Sequence, residues 1–100
     1  MSDFIKKLKT GDINGYMAIK KNSDHTQLDL SCIIYRKLSN TEIAIFVWSD
    51  KNLAHEFVKT LPTEHKVISI TSDDVKYLYN RLVSEGLDVK LEVNCPDTIK

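Results

Sequence analysis

Three histidines, two cysteines and one adjacent pair of aspartates are the residues of this chain whose types could carry chemistry. A metal site needs ligands that converge at fixed spacings, and His25, His55 and His65 read onto a turn, a helix and a pre-strand loop. Neither His-x₃-His nor Cys-x₂-Cys occurs, so no metal and no cofactor is expected. A nucleophile such as Cys95 or Ser49 needs a base brought in by folding, and no strand–nucleophile–helix elbow supports either one. Asp73 and Asp74 fall in a helix-start signal, where carboxylates complement the helix dipole. The glycines at 11, 15 and 86 form no phosphate-cradling loop. The amides of Ser49-Asp50-Lys51-Asn52 open a helix and could hold an anion, but Asp50 would repel it and a simple N-cap explains the same residues. The reading is therefore a non-enzyme with no catalytic residues.

Binding chemistry has more candidates. Trp48 ends the most apolar segment just before the helix-start turn at Ser49 and Asp50, at the carboxyl end of the sheet where open α/β folds bind ligands. Its structural alternative is a tryptophan that closes the core. Tyr79 belongs to an apolar helical stripe, whereas Tyr35 and Tyr77 fall where an exposed ring could anchor a partner. Lys90 and Glu92 lie on the polar face of a strictly alternating segment near the C-terminal end, which reads as a half-wet edge strand open to a partner.

The elements that position these residues follow from periodicity. Residues 1–10 read as a short amphipathic helix capped by Ser2, with Phe4, Ile5 and Leu8 on one face and Gly11 as its stop; the turn Asp12-Ile-Asn-Gly15 has chemistry that permits positive φ. A strand is expected over 15–20, then a polar turn, then a strand over 27–36 with Leu28, Leu30, Cys32 and Ile34 on one face. Residues 42–48 are nearly all apolar and fit a central strand covered on both sides. Leu53, Ala54, Phe57, Val58 and Leu61 then repeat at helical spacing up to Pro62. A strand over 66–70 leads to a capping box at Thr71–Asp74, and the helix it opens carries Val75, Leu78, Tyr79, Leu82 and Val83. Gly86 stands where a left-handed C-terminal residue is expected, and residues 87–93 alternate strictly. The fold class is thus α/β, of mixed α+β character. It is a single domain over 1–100 in the order α-β-β-β-α-β-α-β, with a mixed five-stranded sheet, an N-terminal antiparallel meander and a C-terminal βαβαβ half.

Composition bounds the partners. Fourteen basic residues balance fourteen acidic ones, which argues against nucleic acid. Residues 1–22 lean positive through Lys6, Lys7, Lys9, Lys20 and Lys21 against Asp3 and Asp12, a tilt that reads first as solvated surface. No apolar run reaches signal-peptide or membrane-span length, and two cysteines make no disulfide framework, so a cytoplasmic protein is expected. Cys32 reads as a small buried hydrophobe and Cys95 as part of a polar tail.

From Ile43 onward the chain resembles the N-terminal domain of the SseB family of bacterial proteins. The residues concerned are Ile43-Ala-Ile-Phe-Val47, the turn Ser49-Asp50, Leu53-Ala54-x-x-Phe57, and Val89-x-Leu-x-Val93 running into Asn94-x-Pro96. They cover about half the chain, and Cys95 intervenes where the family pattern has Asn-Pro directly. The resemblance implies an α/β regulatory or interaction module without assigned catalytic residues. The leading expectation is a small bacterial or phage-type interaction domain that meets a protein partner, or a second copy of itself, along the strand Leu87–Val93. Two alternatives are a small ligand or nucleotide bound near Trp48, and weak nucleic-acid binding through the N-terminal lysines. No membrane partner is expected.

Overall fold

The computed structural model describes residues 3–23 and 28–94. Its elements run α1 (Asp3–Thr10), β1 (Gly15–Lys20), β2 (Tyr35–Lys37), β3 (Glu42–Val47), α2 (Lys51–Val58), β4 (His65–Ile70), α3 (Ser72–Ser84) and β5 (Asp88–Val93). Class and element order are those the sequence predicts. The five strands divide between two sheets: β1 pairs antiparallel with β4, while β3 lies between antiparallel β2 and parallel β5. Two isolated bridges, Tyr16 to Trp48 and Ile19 to Ile33, tie β1 to the second sheet. The Tyr16 and Trp48 backbones exchange two hydrogen bonds of 2.8 Å.

The alternation of strand side chains divides the interior into two cores. Met17, Ile19, Ile43, Ile45, Val47, Ile70 and Val89 face one way and meet Leu8 of α1 and Val75, Leu78 and Leu82 of α3. Ala18, Phe46 and Trp48 face the other way and meet Ala54 and Phe57 of α2. Every residue of β3 after Glu42 is buried, as its unbroken apolar run requires. Helix α2 thus covers the face opposite α1 and α3, and the strands it joins, β3 and β4, fall in different sheets.

Local signals account for most boundaries. The Asp50 carboxylate accepts the Asn52 N–H at 2.7 Å and starts α2. That helix ends at Val58, short of Pro62: Lys59 keeps helical backbone angles, the Thr60 N–H and hydroxyl both donate to the Phe57 carbonyl at 3.0 and 2.6 Å, and Leu61, directly before the proline, is disfavoured in the helical region. The expected capping box is formed, with Thr71 and Asp74 each bonding the other's backbone N–H. Gly86 takes φ of 86° directly after the C-cap Glu85. Gly15 serves a different purpose from the expected positive-φ turn: it opens β1 buried, and a Cβ there would stand 3.0 Å from the Phe4 ring. Among the described residues, the positive-φ non-glycine residue is Asn94, at 55°.

Some expectations fail for identifiable reasons. The strand predicted over 27–36 is reduced to Tyr35–Lys37. Asp29 accepts bonds from both the N–H and the hydroxyl of Ser31, and the Asp29 carbonyl accepts the N–H groups of Cys32 and Ile33, so the chain turns where alternation suggested extension. Cys32 is buried as predicted, but in that turn and not mid-strand. Leu53, Tyr79 and Val83, assigned to buried stripes, are 46%, 39% and 46% exposed. Each lies at the flank of a stripe whose centre already fills the contact with the sheet. The Ser2 cap, the Asp24-His25 turn and Cys95 lie outside the described residues.

Candidate interaction surface at the β5 edge

Strand β5 owes its edge position to the sheet order β2-β3-β5, in which β3 pairs with it on one side and no described strand lies on the other. Asp88 N–H donates to Thr41 O at 2.7 Å and Asn94 N–H to Val47 O at 2.9 Å. In a parallel ladder the backbone groups of alternate residues point to opposite sides. The N–H and C=O of Val89, Leu91 and Val93 therefore point to the outer edge. Their side chains pack against the first core, with Val89 buried and Leu91 and Val93 half-buried.

The other face of this sheet carries charge. Lys90 Nζ stands 3.0 Å from Glu42 of β3, and Arg36 of β2 pairs with Glu92. The Arg36 guanidinium also lies over the Phe46 ring, 6.0 Å from its centre. Glu42 holds the Lys90 ammonium above its usual range, through a hydrogen bond first and charge second. These are exposed pairs, worth little in stability, but they fix the order of charges along the sheet.

The structure joins two surfaces that the sequence left separate. Because β3 and β5 run parallel from Glu42↔Asp88 to Val47↔Val93, their carboxyl ends lie side by side. Asn94 Oδ1 accepts the Ser49 N–H at 2.9 Å, and Asn94 Nδ2 donates to the Ser49 hydroxyl at 2.9 Å. The Trp48 turn and the end of β5 are thus one locality. Within it Ser49 and Asp50 are exposed, but Trp48 is 0% exposed, packed against Phe57 at 5.0 Å and Phe46 at 6.3 Å between ring centres. Its ring is a core element, the structural alternative weighed for it.

Tyr35 and Tyr77 are not drawn into this locality. Tyr35 is half-buried against the first core, whereas Tyr77 is exposed on α3. The five N-terminal lysines are divided as well. Lys6, Lys7 and Lys9 sit on α1, which packs over Gly15 at one end of β1, while Lys20 and Lys21 stand at the other end. A six-residue strand is about 17 Å long, and Lys21 pairs with Glu64 at 3.4 Å. His55 is exposed on α2 and His65 opens β4, its Nδ1 2.9 Å from the Thr63 carbonyl. Beneath α3 a cavity of about 10 Å³, lined by Met17, Ile45, Val47, Ile70, Leu78 and Val89 among others, has room for about one water molecule. No helix among the described residues is long and apolar enough to cross a membrane.

Arg36, Glu42 and Asn94 are the members of this surface that sequence reasoning missed. For Asn94 a local signal existed, since asparagine ending a strand readily takes positive φ. Arg36 and Glu42 become partners of β5 only through pairing across the sheet. Compared with protein families, with curated proteins and with solved structures, the chain finds no significant match.

Proposed function

We propose that this chain is a small non-catalytic interaction domain that meets its partner by strand pairing along the outer edge of β5. The observation that carries the reading is a six-residue strand that, among the described residues, is paired on one side only, and whose outward backbone groups repeat at Val89, Leu91 and Val93. An edge of this kind is a template for another strand, with backbone bonds supplying affinity and alternate side chains supplying selection. The charges of Lys90 and Glu92 fit that selective role. A regulatory or interaction module, as the SseB resemblance implies, is compatible with such a surface, as is the cytoplasmic setting expected from the cysteine count and the lack of a long apolar run.

A small ligand near Trp48 has less support, because the indole is committed to the α2 core and Asp50 already caps the helix. Nucleic-acid binding has less again, because its lysines are divided between two ends of the molecule. The test is amide hydrogen exchange of Val89, Leu91 and Val93, compared between dilute protein, concentrated protein and extract of the cells that make it. Protection of these three amides in either of the last two supports the reading. Exchange as fast there as in dilute protein refutes it.

A further inference from the structure

We propose that the strand accepted by β5 is β5 of a second copy, paired antiparallel about a two-fold axis through Leu91. The inference rests on the reading of the β5 edge as the interaction surface, and it commits that surface to a partner and a register. Outward backbone groups occur at odd-numbered residues, so any antiparallel self-pairing must set odd residues against odd ones. That leaves axes through residues 89 to 93.

Charge and paired length decide among them. With the axis through Leu91, Lys90 faces Glu92 of the second copy and Glu92 faces its Lys90. Both are non-hydrogen-bonded pairs, the closer kind, in which cross-strand side chains interact most strongly. On the opposite face Val89 meets Val93 of the second copy and Leu91 meets its own counterpart, so the half-buried Leu91 and Val93 gain apolar cover. An axis through Lys90 would set Lys90 against Lys90 and Asp88 against Glu92. An axis through Glu92 would set Glu92 against Glu92. An axis through Val89 would also set Lys90 against Asp88, but it pairs only three of the six strand residues and is rejected on length, not charge; an axis through Val93 leaves nearly the whole strand unpaired.

The register also extends the charge pairs already present within each copy. Glu42 holds Lys90 and Arg36 holds Glu92, so the paired sheets carry the row Glu42, Lys90, then Glu92 and Arg36 of the second copy. Signs alternate along it, and symmetry repeats it in reverse. Charges on an edge strand ordinarily reject other strands, and here the same charges select one. The outer edge of β4 has no such pattern, since its residues His65–Ile70 include no acidic side chain. A contact of two strands is smaller than a standard protein interface, so the association belongs in the weak range, seen at micromolar to millimolar concentration.

Charge reversal with mixing tests this directly. Lys90→Glu alone sets Glu against Glu at both pairs, and Glu92→Lys alone sets Lys against Lys. Each variant by itself should dimerise at least about tenfold more weakly than the wild type in sedimentation equilibrium. A one-to-one mixture of the two restores opposite charges at both pairs and should recover dimers, with far-UV circular dichroism confirming both folds. A wild type that stays monomeric throughout, single variants that associate as the wild type does, or a mixture without recovery would overturn the proposal. If a variant loses its fold, wild-type amide exchange decides instead: Val89, Leu91 and Val93 should gain protection together as concentration rises, and constancy refutes the pairing. A monomeric wild type whose three amides become protected in cell extract would sink the self-pairing alone. Absence of protection there too would sink the edge reading with it.

Discussion

Truncating Phe57 to alanine removes the ring that holds α2 to the second core. Phe57 is almost wholly buried, edge-on to Phe46 at 5.8 Å and tilted against Trp48 at 5.0 Å. Phe→Ala in a packed core costs about 3–5 kcal/mol, and aromatic pairing adds about 0.5–1.5 kcal/mol per contact to what the ring supplies. A domain of this size is stable by roughly 5–15 kcal/mol, so the change takes a large share of the total. At about 4–8 °C per kcal/mol, a loss of about 4 kcal/mol lowers Tm by roughly 15–30 °C. Urea unfolding followed by Trp48 emission measures it, since Trp48 is the single tryptophan and lies in the same cluster. Leu53→Ala on the same helix is the control: an exposed side chain away from special features should change stability by no more than about 0.5 kcal/mol. Equal losses at Phe57 and Leu53, or a Phe57 loss below about 1.5 kcal/mol, would refute the assignment of α2 to a core of its own.

Three further outcomes follow from local geometry. Thr71→Ala removes one half of the capping box and should cost about 1 kcal/mol, read as a Tm drop of roughly 4–8 °C. Asn94→Gly keeps the backbone free at φ of 55° but loses the bonds to Ser49, costing about 1 kcal/mol, whereas Asn94→Ala adds left-handed strain and should cost about 2–3 kcal/mol by denaturant unfolding. The Asp29 carboxyl is held below its usual range by the Ser31 hydroxyl first and the Ser31 N–H second, with Arg81 adding charge. A depressed folded pKa stabilises the protein above the unfolded value, and this is lost as pH falls through the folded one. Ser31→Ala should therefore move the Asp29 titration upward by NMR and weaken the dependence of stability on pH in the acid range.

What the sequence disclosed is what short spacing controls. The apolar run of β3, the Thr71–Asp74 box, the Asp50 cap, Gly86 and the alternation of β5 are written within a few residues each. Alternation misled at Leu28 to Ile34 because the same spacing also suits a turn, and Asp29 decided for the turn through its bonds to Ser31. The helical stripes were drawn too wide at Leu53, Tyr79 and Val83, because periodicity gives a helix face but not the width of its contact. The candidate surface was half legible. Lys90 and Glu92 announced themselves by pattern, but the Arg36 partner of Glu92 is 56 residues away and the Asn94 partner of Ser49 is 45 away. Those pairs exist only once β5 has chosen β3 as its neighbour, and that choice rests on long-range packing. The same packing buries Trp48, whose position at the strand end had suggested a ligand.

The most direct measurement of the central claim is an isotope-filtered NOE spectrum of a concentrated mixture of labelled and unlabelled chains, which detects only contacts between copies. Pairing along β5 predicts cross-peaks from Leu91 to Leu91 and from Val89 to Val93 of the other copy. A dimer whose intermolecular contacts lie elsewhere, or a concentrated sample with none, would contradict it.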